Sequence, residues 1–300
     1  MSPHDRRRDY LSPVSLYLPG LPVRATHRLA TLLHSCHPEP TLAVTVFVTA
    51  LAATSGRGPG DVVALGAAVL AGQLSIGWCN DAVDAGRDTA SGRRDKPIAT
   101  GAMRPRTAAM AAVVALVACV PLSLLSGVAA AAVHLTGVIA GGWAYNLALK
   151  RTPISPVPYA VGFASLPAFV TLGPPTHTWP AWWAVVTSAL LGVGAHWVNA
   201  LPDIADDLAT GVRGLPQRLG PVACRRLSLV TMLAAVAIVT VCPPGTAGAP
   251  GWMCATAAGC IAAIGTLPRW REGSRWPFRA AIAVAGLAVA QLLARGSVVA

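Results

Sequence analysis

Asn80, Asp81, Asp84 and Asp88 are spaced so that a helix would carry them along one face. A second run, Asn199, Asp203 and Asp207, repeats the four-residue step. The chain holds twelve carboxylates, and seven of them fall within 81–95 and 203–207, so acid is scarce and clustered. Two rows of carboxylates that approach each other in a medium of low dielectric repel unless cations lie between them. Hard divalent cations with oxygen ligands answer that need, and magnesium takes one or two carboxylates while water and substrate phosphate fill its shell. An ion held that way would join the protein to a diphosphate, neutralise the charge growing there and ease its departure. Neighbouring bases fit the same chemistry. Arg87 lies inside the first row, and Arg93-Arg94-Asp95-Lys96-Pro97 begins five residues after Asp88, with Arg94 and Lys96 expected on the phosphate oxygens. Lys150, five residues beyond Tyr145, brings a further charge to that face.

Membrane helices must position these residues. The chain is 54% hydrophobic and 12% charged, with a mean hydropathy of +0.57, a balance foreign to soluble domains. A hydrocarbon core of about 30 Å needs about 20 apolar residues per helical span. That rule predicts nine spans, near 31–54, 61–79, 107–126, 128–147, 157–173, 180–200, 222–242, 251–267 and 278–295. The third and fourth meet at Ser126-Gly127, where a tight hairpin must turn the chain. The expected fold is therefore all-α, a polytopic membrane protein.

Lys and Arg alternate with these spans. Twenty-one of the twenty-three fall in the tail and loops of one side, and only Arg57 and Arg295 fall opposite. The positive-inside rule then places the N-terminus in the cytoplasm and the C-terminus outside the cell membrane. Both acid rows fall at cytoplasmic ends, of the second and sixth spans. A diphosphate on a hydrocarbon tail suits that place, its head at the metal and its tail in membrane lipid. The net charge of +11 belongs to loops facing an anionic leaflet. Nucleic acid is not an expected partner, because the charge follows topology and forms no patterned arm. The seven cysteines show no CxxC pair and read as packing residues. Residues 1–30 contain arginines but no apolar stretch before a cleavage site, so they read as a cytosolic tail, partly disordered through Pro13, Pro19, Gly20 and Pro22, ahead of a membrane domain over 31–300.

Asn80-Asp81-x-x-Asp84-x-x-x-Asp88, followed by the basic segment ending in Lys96-Pro97-Ile98-Ala99-Thr100-Gly101, resembles the first signature of the UbiA superfamily of membrane prenyltransferases. Asp203-x-x-x-Asp207 resembles its second, and Tyr145 with Lys150 resembles the Tyr-x-x-x-x-Lys element after the fourth span. The resemblance implies nine helices around a central cavity, two aspartate-rich motifs facing each other, two magnesium ions and an isoprenoid diphosphate donor. It implies ionisation of the donor's C1–O bond and capture of the allylic cation by an acceptor, of which an aromatic one is expected. Asn80, Asp81, Asp84 and Asp88 would hold one metal, and Asp203 and Asp207 the other, with Asp81, Asp84, Asp203 and Asp207 central to catalysis. Asn80, Arg94, Lys96, Tyr145, Lys150 and Asn199 would meet the diphosphate. Lys96 stands where many members carry Arg, which loses the bidentate fork.

Pro202, just before Asp203, should kink or unwind the sixth span. Asp206 reads as a loop acid or a further ligand. His196 and His134, polar residues in apolar spans, read first as hydrogen-bonded to neighbouring helices, with a role for His196 at the acceptor as the alternative. In Ser35-Cys36-His37-Pro38-Glu39-Pro40 the two prolines fit a helix start, and Glu39 could cap it or border the cavity. The same acids would serve a membrane terpene cyclase that acts on the donor without an acceptor. A transporter with paired aspartates fits poorly, because the acids lie at one membrane face and not at its middle.

Overall fold

Proline opens several of the helices. It has no N–H to leave unpaired in a first turn, and its φ suits a helix start. It does so in α2 (Pro38–Thr54), α3 (Pro59–Ala90) and α4 (Pro105–Leu124). A computed structural model describes residues 23–267 and 274–294, and its regular elements are helices. The tail expected over 1–30 lies mostly outside the described residues, as do residues 268–273 and Arg295. Helix α1 (Val23–His34) precedes α2. The first expected span is therefore not one helix. His37 between them lies in the left-handed region, with φ 55° and ψ 69°, and the ring of Pro38 disfavours the right-handed α conformation in the residue before it.

Among the described residues, seven segments are long and apolar enough to cross a membrane: α3, α4, Val128–Leu147, Trp182–Ala209, Leu215–Val241, Gly248–Gly265 and Trp276–Ala294. Two shorter apolar helices, Pro38–Thr54 and Val157–Thr171, occupy the first and fifth expected spans. The protein is an integral, multi-pass membrane protein. At α3, 32 residues rise about 48 Å. That exceeds the hydrocarbon thickness, so the end carrying Asn80 to Asp88 continues beyond the expected limit at residue 79.

The Val128–Leu147 segment is α5 (Val128–Val133) and α6 (Gly141–Leu147) joined by a π-helical stretch, His134–Ala140. The hairpin expected at Ser126-Gly127 is there, with Gly127 at φ 94°, a conformation L side chains resist. Next come α7 (Val157–Thr171) and α8 (Trp182–Ala200). As expected of Pro202, α8 gives way to a 3₁₀ turn, Leu201–Asp203, before the short α9 (Ile204–Ala209). Helix α10 (Leu215–Val241) is interrupted at Gly220-Pro221, close to the expected start at 222. Helices α11 (Gly248–Gly265) and α12 (Trp276–Ala294) complete the described chain.

Neighbour packing runs from α2 to α3, α6, α7, α8, α10 and α12 and back to α2, a closed ring with α4 on α3 and α11 beside α10 and α12. Side-chain hydrogen bonds tie the ring where lipid offers no partner. Ser75 Oγ donates to the Ala112 carbonyl at 2.9 Å and accepts from Trp143 Nε1 at 3.0 Å. Ser228 Oγ donates to the Gly194 carbonyl at 3.1 Å. Arg57, assigned by charge counting to the opposite face, is buried there, and its guanidinium donates to the Val170 carbonyl at 2.6 Å near the C-terminus of α7. That burial pulls its pKa down, against the charge of Asp61.

Candidate active site

Helix α3 sets the first acid row. Asp81 is 1% exposed. Its Oδ1 accepts from Lys96 Nζ at 2.5 Å and lies 3.1 Å from His37 Nε2. Its Oδ2 is buried without a partner. One turn on, Asp84 Oδ1 accepts from both Arg87 and Lys150. Asn80 Nδ2 lies 3.3 Å from Asp84 Oδ2 and 3.1 Å from Asn146 Oδ1, and Asn146 is held by donating to the Ile76 carbonyl at 2.9 Å. Asp88 makes no side-chain hydrogen bond or ion pair among the described residues. Its charged neighbours are Lys96, Asp84, Arg93 and Asp81.

The break at Pro202 sets the second row. Asp203 closes the 3₁₀ turn, and Asp207 sits one turn later on α9. Asp207 Oδ2 accepts from Gln217 Nε2 of α10 at 2.6 Å. The loop after α3 spans the gap between the rows. Arg93 Nη1 donates to Asp203 Oδ1 at 2.5 Å, while its Nε and Nη2 grip both oxygens of Asp95 at 2.9 Å. That fork holds the Asp95 carboxyl down at about 2 and raises the Arg93 guanidinium. Burial draws the pKa of Lys150 down, with Asp84 opposing. Arg87 and Lys150 also lie within electrostatic range of Asp207.

Most residues singled out from the sequence therefore meet at one end of the helices. Asn80, Asp84 and Lys150 form one bonded set and Asp81 and Lys96 another, and Arg93 of the loop after α3 bonds Asp203. Arg94 is exposed, without a side-chain partner among the described residues. Tyr145 packs edge-on against Tyr159 at 5.1 Å and His196 at 5.7 Å. Asn199 turns to Tyr159, donating to its hydroxyl at 3.2 Å, and Asp206 makes no side-chain bond among the described residues. His196 is buried with Nε2 3.2 Å from Ser155 Oγ, in the turn before α7 and not in a helix, whereas His134 has Nδ1 2.9 Å from Ser123 Oγ of α4, as expected of a histidine bonded to a neighbouring helix. Glu39 neither caps α2 through its side chain nor joins the acids. It accepts from Arg279 Nη2 of α12 at 2.7 Å.

The sequence reading gave no site role to Asn146, Gln217 or His37, and within the basic segment it assigned the phosphate to Arg94 and not to Arg93. Asn146 carried a signal, an amide beside Tyr145 in an apolar helix. For Gln217 and His37 the contacts are tertiary, and for Arg93 only the loop's path decides between it and Arg94.

The donor set fits magnesium. Its oxygens are hard, and a buried carboxylate oxygen such as Asp81 Oδ2 is costly without a cation or donor. Among the described residues no three His, Cys, Asp or Glu are grouped so as to hold a metal ion by themselves.

The ring of membrane helices with paired acid rows at one end defines a class of intramembrane proteins. The chain belongs to the UbiA prenyltransferase family, whose model matches residues 41–292. Over 187 residues it is 29% identical to the bacteriochlorophyll synthase 33 kDa chain of Cereibacter sphaeroides, a match covering 57% of this chain and 60% of that protein. Its fold is similar to the apo structure of a UbiA homolog from Aeropyrum pernix K1, with TM-score 0.66 and 19% identity over 86% of this chain and 98% of that one. It is also similar to a UbiA homolog from Archaeoglobus fulgidus bound to GPP and Mg2+, with TM-score 0.66 and 14% identity over 89% and 98% of the two chains.

Proposed function

We propose that this protein transfers an isoprenoid group from a prenyl diphosphate to an aromatic acceptor, in a magnesium-dependent reaction at the cytoplasmic membrane face. The observation that carries this reading is the interleaving of acids and bases at one helix end, where Lys96, Lys150, Arg87 and Arg93 each pair with a carboxylate of one of the two rows. Membership of the family supports it. So does the Archaeoglobus fulgidus homolog, whose bound GPP and Mg2+ are the kind of donor and ion proposed here.

Asp81, Asp84 and Asp88, with the amide of Asn80, would hold one magnesium ion, and Asp203 and Asp207 the other. Magnesium, when bound, supplies charge neutralisation on the diphosphate as the C1–O bond breaks. The chain's own residues do the rest. Lys96, Lys150 and Arg94 offer cations to the phosphate oxygens, and Arg93 brings the loop over the second row. Asn199 and Tyr145 border the same space. Tyr145, Tyr159 and His196 wall the site with rings that exclude water and can offer π faces to an allylic cation.

Purified protein with magnesium, donors of increasing chain length and a panel of aromatic acceptors tests the reading. Diphosphate release and a prenylated acceptor are expected, both lost on chelation and in Asp84→Ala and Asp207→Ala. Normal turnover by either variant would sink the assignment. The same acids would also serve a terpene cyclase. A cyclic product formed from the donor alone would move the protein to that class.

A further inference from the structure

His37 takes no part in the chemistry above, yet its backbone is held in the left-handed region at φ 55°, ψ 69°. L-residues keep such a conformation where the surroundings over-determine it, and that happens most at functional sites. Pro38 explains why His37 leaves the right-handed region, and the surroundings explain where its side chain goes. The break between α1 and α2 rests on α3. Cys36 accepts from Thr41 Oγ1 at 2.9 Å. A Cβ added to Gly77, one turn before Asp81, would lie 2.4 Å from the Cys36 carbonyl oxygen. So anchored, the imidazole reaches the acid row, with Nε2 3.1 Å from Asp81 Oδ1 and 3.0 Å from Lys96 Nζ.

One nitrogen faces two partners that require opposite roles of it. With a lone pair, Nε2 accepts from the Lys96 ammonium, and with a proton it donates to Asp81. Lys96 meanwhile bonds the same Asp81 oxygen at 2.5 Å. If Lys96 leaves for a phosphate oxygen, the buried Asp81 loses a charged donor, and the Nε2–H tautomer of a neutral imidazole can take over at Oδ1. We propose that His37 is a positioning residue of the diphosphate site: it keeps Asp81 oriented while Lys96 moves from that carboxylate to the substrate. The proposal rests on the diphosphate reading given above.

Equilibrium binding of inorganic pyrophosphate with magnesium to the full-length protein, together with kcat and KM for a prenyl diphosphate, tests it. In His37→Asn, whose residue tolerates the left-handed backbone but is too short to reach Asp81, pyrophosphate binding should weaken about tenfold, the scale of one charged hydrogen bond, and KM should rise more than kcat falls. His37→Gln, with an amide that reaches both partners, should return to within about threefold of wild type. Wild-type binding by His37→Asn, or equal losses in the Asn and Gln variants, would overturn the proposal. Wild-type protein that binds no magnesium pyrophosphate would instead overturn the diphosphate reading itself.

Discussion

One carboxylate oxygen of Asp84 faces two cations, Lys150 and Arg87. Lys150 is 8% exposed, so its ammonium depends on that acid. Removing one partner of a buried pair leaves the other uncompensated, at about 3–5 kcal/mol. Asp84→Ala is therefore expected to lower stability as well as abolish turnover. Lys150→Met leaves Asp84 with Arg87, so it should cut kcat/KM about 100-fold with stability within about 1 kcal/mol, read by diphosphate release and thermal unfolding in detergent. Arg93 and Arg94 make a sharper pair. Arg93 joins Asp95 to Asp203, whereas Arg94 is exposed. Arg93→Ala should raise the KM for the donor about tenfold, and Arg94→Ala should raise it less. The fork is insensitive to neutral pH. Asp95 is held at about 2, so its contribution is present above the unfolded carboxylate range near 4 and is lost only as pH falls through about 2. The activity ratio of Asp95→Asn to wild type should stay flat from about pH 5 to about pH 8, and a slope there would show that another group governs the loop.

At the scale of elements, two breaks set the acids. Pro202 ends α8 and starts the 3₁₀ turn that aims Asp203 and Asp207. Restoring the N–H with Pro202→Ala lets α8 run on, so catalysis should fall at least tenfold while helical content by circular dichroism is unchanged or higher. Gly77 bears on the other break. Its added methyl would strike backbone at Cys36, which cannot rotate away. Gly77→Ala is expected to cost about 1–3 kcal/mol and to reduce activity through the displaced α1–α2 junction. The acid offsets on α3, the Ser126-Gly127 hairpin and the Pro202 break were legible because each depends on local periodicity or on one residue's stereochemistry. The π-helical stretch His134–Ala140 was not. It coincides with contacts to α7, where His134 stacks on Phe169 at 4.2 Å and a Cβ on Gly137 would meet Ser165, and hydropathy carries no record of such contacts. Lys96 and Lys150 could be read as site cations from their motifs. Arg93, His37 and Gln217 could not, since a loop's path and a helix break bring them in.

The whole molecule links the ring to its orientation. Glu39 on α2 accepts from Arg279 on α12, so the first and last helices of the ring are joined by charge near the same face as the acids. Loop 91–104 follows the acid end of α3, and Cys242 follows α10 at the opposite end of the alternation, where it is free and exposed. Charge counting puts the first inside the cell and the second outside. This has a chemical corollary, since a diphosphate is too polar to cross lipid unaided and must meet the acids from the compartment that holds it. In a protein whose Cys254 and Cys260 are replaced by Ala, a membrane-impermeant maleimide should label Cys242 from outside intact cells. An added Thr100→Cys should label only in inside-out vesicles, and magnesium pyrophosphate should slow that labelling because the loop that carries Arg93 borders the acid rows at Asp203. Labelling of residue 100 from outside would reverse the orientation and place donor and acceptor supply on the far side of the membrane. Protection of Cys242 instead would move the diphosphate away from the acid rows altogether.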